Sequence, residues 1–444
     1  EEVHYSEIDP LIIQMIGENL TPLTRQEIKD SRVRIHALDG RLFVKTTTQK
    51  FDLVLLNLPG PSTLELNRYY TVESFGEIFH RLTEKGVLAL SAPGSEAYLG
   101  PEVRDLNLSL ILSLREVFPA VHVIPGNVNF ILASASAEAE SPLSELFISR
   151  LREREISTQF LTDFQIRFKL QKHRQKWLED SLRRGGPVRL NRDANPAGLY
   201  YGIAYWNAQF HPFLQNFWGG IKELRLWHLA LPVFLLFWVP LVMKRKRASA
   251  WRKGALIWVV ATTGFFGISF SVLLIFSFQT LYGNVYQWIG LLIAAFMGGV
   301  ALGSWTMTWI LERIRNFVRT LYGVEILIIS WATLGIALLD LLYSRSLAPG
   351  SLWAAAFGFF MLNGMAGLLV GVEFPLSNGI FMKSEEGVGR TAGILYGADL
   401  FGAWAGSLLV GVLLIPVLGI LQTWALVICL KLASLLLVVI VLRR

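Results

Sequence analysis

The sequence predicts a doubly wound α/β domain followed by an all-α, polytopic transmembrane bundle. Over the first part of the chain, short apolar runs that read as strands alternate with stretches of helical period. From about Leu224 onward, long apolar runs are separated by short basic loops. Of the 444 residues, 53% are hydrophobic and only 17% charged, and the charges crowd into the first part, as expected of a soluble domain joined to a membrane domain.

Element by element, Val3 and Tyr5 in EEVHYSEIDP mark a strand that closes in the acids Glu7 and Asp9 before Pro10. LIIQMIGENL follows with helical spacing. RVRIHALDG reads as a strand ending at Asp39 and Gly40, and KFDLVLLNLPGP as a fully apolar strand ending at Asn57 in a Pro/Gly loop. Then come a helix over TVESFGEIFHRLT, a turn at EKG, a strand at VLALSAPG, a helix over VRDLNLSLILSLREVF, and an antiparallel pair, AVHVIPG and VNFILAS. Continuous apolar strands between amphipathic helices imply a parallel sheet covered on both faces. Ligands of such sheets sit beyond the carboxyl ends of the strands, where Glu7, Asp39 and Asn57 all fall. This domain spans residues 1–136.

Residues 137–222 form the second part. SPLSELFISRLREREIST and FKLQKHRQKWLEDSLRR read as a solvated helical arm with one apolar face packed on the α/β domain. NPAGLYYGIAYWNAQFHPFLQNFWGG is dense in Tyr, Trp and Phe, which suits an interfacial position at a membrane surface; an aromatic recognition pocket is the sharper alternative.

Residues 223–444 hold seven candidate spans, near 224–243, 254–278, 286–310, 320–342, 352–373, 392–416 and 420–442. Basic residues cluster after the first (Lys244 to Arg247, Arg252, Lys253), the third (Arg313, Arg315, Arg319) and the fifth (Lys383, Arg390), and at Arg443 and Arg444. The positive-inside rule makes those loops and the carboxyl terminus cytoplasmic. If 224–243 spans, the soluble domain lies outside, in bacteria in the periplasm; if it does not, the domain is cytoplasmic. The expected home is the bacterial inner membrane. Much of the net charge of +7 lies in these loops, so it reports membrane topology rather than a nucleic-acid partner. Small residues four apart (Gly299 and Gly303, Gly367 and Gly371, Gly393 and Gly397, Gly402 and Gly406) predict close helix crossings. Glu325, Asp340, Glu373, Asp399 and Lys431 are the ionisable groups in or near the spans. Glu373, Asp399 and Lys431 are the intramembrane polar candidates, with an Asp399–Lys431 ion pair or a proton or cation relay as their readings. The single cysteine, Cys429, excludes an intrachain disulfide. His4, His36, His80 and His122 are scattered without metal-ligand spacing, and no metal is expected.

EIDP, the DGR about thirty residues on, FDLVLLNLPGP, RYYTVESF and LTEKGVLAL together resemble the spermidine synthase (polyamine aminopropyltransferase) family, a branch of the S-adenosylmethionine-type Rossmann folds. LNRYYT, LNRDANPAGLYY, FMGGVALGS and GILYGADLFGA resemble bacterial proteins in which such a domain is fused to several transmembrane helices. The resemblance implies that Glu7 holds ribose hydroxyls and that Asp39 accepts from an adenine amino group. It places the family's two catalytic aspartates at Asn57 and Gly60, a degenerate catalytic site, and a glutamate of fused relatives at Ser271. Arg68, Tyr69 and Tyr70 are substrate-pocket candidates. On this reading the chain enters its fold at the second strand, without an initiator methionine, the first strand or the glycine loop. S-adenosylmethionine or its decarboxylated form is then a cofactor only if upstream sequence completes the site. The implied function is aminopropyl or methyl transfer to an amine, weak or lost in this chain. The rivals are a non-catalytic membrane scaffold or assembly protein, and a transporter-like bundle with a nucleoside- or polyamine-sensing domain. Implied partners are the lipid bilayer, an amino-terminal membrane half or separate subunit, and a polyamine or nucleoside ligand.

Overall fold

The computed structural model describes residues 2–137, 143–158, 160–210, 213, 215–232, 235, 248–283, 286–344, 352–382 and 388–442. They divide into two compact units, Glu1–Trp218 and Gly219–Arg444.

The first unit opens with strand β1 (Val3–Glu7), helices α1 (Pro10–Glu18) and α2 (Pro22–Lys29), strand β2 (Val33–Ala37) and helix α3 (Gly40–Thr46). Strand β3 (Phe51–Leu56), helices α4 (Leu64–Asn67) and α5 (Val72–Phe79), strand β4 (Leu82–Pro93), helix α6 (Pro101–Arg115) and strands β5 (Ala120–Ile124) and β6 (Val128–Ser134) follow. The helices start where the sequence places caps: Asp9, Thr21, Asp39, Thr63 and Thr71 each accept a backbone N–H of the first turn. β1 and β2 pair in parallel, β3 and β4 pair in parallel, and β6 runs antiparallel between β4 and β5, in the order β3-β4-β6-β5. This is the mixed, Rossmann-like α/β fold that the alternation of elements predicts.

Three details differ from expectation. The EKG turn is absorbed into β4, which starts at Leu82 and shifts register against β3 between Phe51 and Leu53. The strands form two hydrogen-bonded sheets rather than one. Among the described residues only one face of the larger sheet is covered: Leu88, Leu90, Ile131 and Ala133 are buried, whereas Leu53, Leu55, Val128 and Phe130 are exposed. A continuous apolar run cannot by itself reveal which of its two faces finds a partner.

Helices α7 (Leu143–Glu153), α8 (Asp163–Lys169) and α9 (Lys172–Arg183) form the arm, with Leu178 and Leu182 buried on its inner face. α10 (Ala197–Phe210) splits the aromatic segment in two and is followed by the short helix α11 (Gln215–Ile221). Leu199, Tyr200 and Tyr201 are buried core residues of this unit, which corrects the interfacial reading for that half, while Trp206 and Phe210 are exposed.

Among the described residues of the second unit, six helices are long and apolar enough to cross a membrane. They lie within α12 (Ala248–Tyr282), α13 (Tyr286–Ile310), α14 (Phe317–Ser344), α15 (Leu352–Met382), α16 (Val388–Leu408, continued by a π-helical turn at Leu409–Leu414 and a short helix at Ile415–Leu418) and α17 (Ile420–Leu442). The expected seventh span, 224–243, falls largely outside the described residues.

Glycine governs two crossings. A Cβ at Gly299 or Gly303 would run into the backbone of Gly364 or Leu368, and one at Gly367 or Gly371 into Phe296 or Val300, so α13 and α15 touch backbone to backbone. Gly264, Gly402 and Gly406 do the same between α12 and α16. Gly393 and Gly397 face open space and make no crossing. Pro375 interrupts α15 and cannot donate to the Gly371 carbonyl one turn back; the Ser304 hydroxyl of α13 donates to that oxygen instead, at 3.0 Å.

Candidate functional site

The carboxyl ends of β1, β2 and β3 carry the residues singled out from the sequence. Glu7 ends β1, partly exposed, with Oε1 accepting from the Asp9 N–H at 3.2 Å and Oε2 from the Tyr5 hydroxyl at 3.4 Å. Such an acid retains lone pairs for a ligand hydroxyl.

Asp39 is in a different situation. It caps α3 through Leu42 N–H at 3.0 Å, and its other oxygen receives Arg68 Nη1 at 2.6 Å and the Tyr69 hydroxyl at 2.8 Å. The carboxyl is only 3% exposed. Burial works against its charge, but Arg68 beside it, the Leu42 N–H and the Tyr69 hydroxyl outweigh that and hold it below the usual carboxylate range. Arg68 is itself buried, with its guanidinium 5.2 Å from the Tyr69 ring centre and Nε and Nη2 unpaired. Burial, followed by the Asp39 charge, pushes the Tyr69 phenol up.

Tyr70 turns to the loop after β3. Its hydroxyl lies 2.8 Å from the Leu58 carbonyl and 2.9 Å from that of Pro59, so one donor pins the chain between Asn57 and Gly60. Asn57 is exposed, and a Cβ at Gly60 would meet nothing within 4 Å. Arg68 and Tyr70, both buried, and the half-buried Tyr69 thus support Asp39 and the β3 loop.

The two LNR motifs turn out to be one structural lock. Arg41 is buried and donates to Glu77, to the Arg68 carbonyl and, through both terminal nitrogens, to Asp193. Asp193 also accepts from the Thr71 hydroxyl at 2.7 Å. Asn191 donates to the Tyr70 carbonyl at 2.9 Å and accepts from Gly198 N–H at 3.0 Å. Gly198 is required here, because a Cβ would strike the Asn191 and Asn67 side chains. Arg41 and Asp193 were missed as candidates; their signal was a charged residue inside each quoted motif, DGR and LNRDANPAG.

With this geometry in view, residues 1–144 match the family described as "Spermine/spermidine synthase domain". The amino-terminal region carries a spermine/spermidine synthase domain. Curated relatives include the polyamine aminopropyltransferase of Oceanobacillus iheyensis, 27% identical over 168 residues that cover 37% of this chain and 31% of the relative. The polyamine aminopropyltransferase 2 of Aquifex aeolicus is 27% identical over 130 residues, 28% of this chain and 25% of the relative. The chain therefore spans a third or less of these relatives. The spermidine synthase of Thermotoga maritima is a solved neighbour at TM-score 0.31 and 17% identity, covering 41% of this chain and 59% of its own. Of the lock, Arg41 lies inside the matched segment and Asp193 after its end at residue 144.

Two other groupings lie away from the strand ends. His4 and His36, scattered in the sequence, are brought side by side by the parallel pairing of β1 and β2, Nδ1 to Nε2 at 2.9 Å, stacked against each other, with His4 also stacked on Phe43. An apolar cleft of about 430 Å³ in the arm is lined by Ile124, Leu151, Ile166 and Leu170, with Arg150 and Lys169 among its other walls.

In the helical unit, Glu373 and Lys431 meet, but Lys431 takes Glu325 at 2.9 Å and Glu373 at 3.7 Å rather than Asp399. Asp399, half-buried, lies instead against α12 at Gly264. Ser271 accepts from Asn363 of α15 at 3.2 Å.

Proposed function

We propose that the chain is an integral-membrane, spermidine synthase-like protein in which aminopropyl or methyl transfer from an S-adenosyl donor to an amine is weak or lost. One observation carries this reading: the loop at the end of β3 offers Asn57 and Gly60 where a transferase of this kind needs carboxylates. An amide cannot take the amine's proton, and general-base help is typically worth about 10²- to 10⁴-fold. The residues present fit the donor incompletely. Glu7 has lone pairs to offer a ribose, but Asp39 is closed over by Arg68 and Tyr69, so an adenine amino group would have to displace one of them.

A second reading is favoured by the buried charges of the helical unit, Glu325, Glu373 and Lys431: a transporter-like bundle whose α/β domain senses a nucleoside or polyamine. A scaffold role keeps the fold without either ligand. The basic loops argue for a multi-pass protein of the bacterial cytoplasmic membrane with a cytoplasmic carboxyl terminus. They also favour an α/β domain on the outer side, where S-adenosyl donors are not supplied.

The test is incubation of the purified full chain with putrescine and decarboxylated S-adenosylmethionine, and separately with S-adenosylmethionine and amines, read by mass spectrometry. No product is expected from either, and stoichiometric turnover would overturn the reading. Phosphatase and green fluorescent protein fusions near Arg189 test the side. Phosphatase activity is expected, and fluorescence without it would place the domain in the cytosol.

A further inference from the structure

Four helices of the bundle converge on one buried polar cluster. Lys431 of α17 donates to Glu325 Oε1 of α14 at 2.9 Å and to Thr263 Oγ1 of α12 at 2.8 Å. Thr263 Oγ1 stands 2.5 Å from Glu373 Oε1 of α15. On the other side, Ser434 bridges Glu325 Oε1 and Thr262, each at 3.1 Å. Glu325, Glu373 and Lys431 are all at most 1% exposed.

The charges in this cluster do not balance. Two carboxylates face one ammonium, so with all three ionised a net negative charge would sit in an apolar bundle, where an uncompensated charge is strongly disfavoured. Among the described residues, no cation other than Lys431 is bonded or ion-paired to either glutamate. α13 carries no charged residue between Tyr286 and Ile310, α12 has only Arg252 and Lys253 at its start, and Lys253 lies over the Phe381 ring. The remaining titratable group facing this region, Asp399 of α16, adds negative charge.

Geometry distinguishes the two glutamates. Glu325 Oε1 holds both the close lysine contact and the Ser434 hydroxyl, as an ionised partner does. Glu373 stands 3.7 Å from the lysine; the Oε2 of each glutamate has no hydrogen-bond partner, so the lysine distance and the Ser434 bond are what separate the two. Its other oxygen makes the 2.5 Å contact, at the short end of the range for O–H···O bonds. One turn along α15 from Glu373, Ser377 is also fully buried with its hydroxyl unpaired. Glu373 also sits two residues before Pro375, in the turn of α15 whose backbone hydrogen bond is replaced by Ser304.

We propose that Glu373 is a proton-binding site in the core of the bundle, with the Lys431–Glu325 pair as its fixed counter-charge. The proton resides on the Glu373 carboxyl and is shared with Thr263 Oγ1, so the cluster is neutral when loaded and anionic when emptied. A proton taken up or released beside the proline turn of α15 couples protonation to the packing of that helix. This assignment is independent of whether the α/β domain transfers anything.

The experiment is infrared spectroscopy of the full chain in lipid nanodiscs at neutral pH. The expected result is a carbonyl stretch of a protonated carboxyl that shifts in D₂O and shifts again when the protein is labelled with ¹³C-glutamate. It should vanish in Glu373→Gln and persist in Asp399→Asn. The labelling arm assigns the band to a glutamate without any variant, and Glu373→Asp, in which the band should persist but no longer move with ¹³C-glutamate, tests the position if Glu373→Gln fails to fold. Absence of the band, failure of ¹³C-glutamate to move it in the unaltered protein, its survival in folded Glu373→Gln, or its suppression by added sodium would each overturn the proposal, the last by assigning the site to a metal cation.

Discussion

Arg41 and Asp193 are joined by two parallel hydrogen bonds, Nη1 to Oδ1 at 2.9 Å and Nη2 to Oδ2 at 2.7 Å, across 152 residues of chain. Both side chains are buried, and the pair is completed by Glu77 and Thr71. The segment that follows the helical arm is thereby part of the α/β unit. Removing one partner of a buried pair strands the other charge, at a cost of about 3 to 5 kcal/mol. Asp193→Ala should therefore lower the unfolding temperature of the α/β unit and expose the 185–196 segment to proteases. A variant with unchanged melting and digestion would show that the lock is dispensable.

Acid should loosen the same unit. Burial disfavours the Asp193 carboxylate, but Arg41 and the Thr71 hydroxyl outweigh it, and Asp193, like Asp39, is held below the usual carboxylate range. For a carboxyl whose folded value is depressed, the unfolded chain binds protons first as pH falls. The stabilisation is complete above the unfolded value of about 3.9 and is lost as pH drops from there through the folded value. Circular dichroism across this window should show an acid limb that is shallower in Asp39→Asn than in the unaltered protein. Superimposable limbs would contradict the assignment.

Lys45 behaves in the opposite sense. Burial pushes its ammonium down to about 8, the neighbouring Arg41 pushes in the same direction, and Glu77 compensates only in part. Between that value and the unfolded value of about 10.4, the unfolded chain holds a proton that the folded chain has released, so stability rises with pH across the window. Lys45→Met should flatten the rise. Acylation of Lys45, followed by peptide mass spectrometry, should show a midpoint near 8, well below that of exposed lysines; a midpoint in the ordinary lysine range would refute the shift.

The glycine crossings separate into essential and idle positions. Gly303→Val places a side chain against the Leu368 carbonyl and should melt the detergent-solubilised bundle several degrees lower, since overpacking typically costs about 1 to 3 kcal/mol. Gly397→Ala, with open space around its Cβ, should leave melting unchanged. Equal effects at the two positions would mean that the α13–α15 crossing is looser than its backbone contacts indicate.

Much of the fold was legible in the sequence. Caps such as Thr71 and Asp39, the period-two and period-3.6 patterns, and runs of about twenty apolar residues act within a few residues of themselves, so the strands, helices and six of the long apolar segments could be read in order. The first candidate span, 224–243, lies largely beyond the described residues. The site was legible only as positions: Glu7, Asp39 and Asn57 at strand ends, and Glu373, Asp399 and Lys431 in apolar helices.

The partners of those residues were decided by tertiary structure alone. One oxygen of Asp39 accepts from both Arg68 and Tyr69, 29 and 30 residues away, and Lys431 pairs with Glu325 rather than Asp399 at a separation of 106 residues. Of four glycine pairs with one spacing, only those at Gly299 and Gly303, Gly367 and Gly371, and Gly402 and Gly406 meet another backbone. Local pattern sets the face a side chain occupies, because periodicity is a property of one element. Which group waits on the opposite face depends on how separate elements pack, and a buried charge takes whichever counter-charge that packing brings within about 3 to 4 Å.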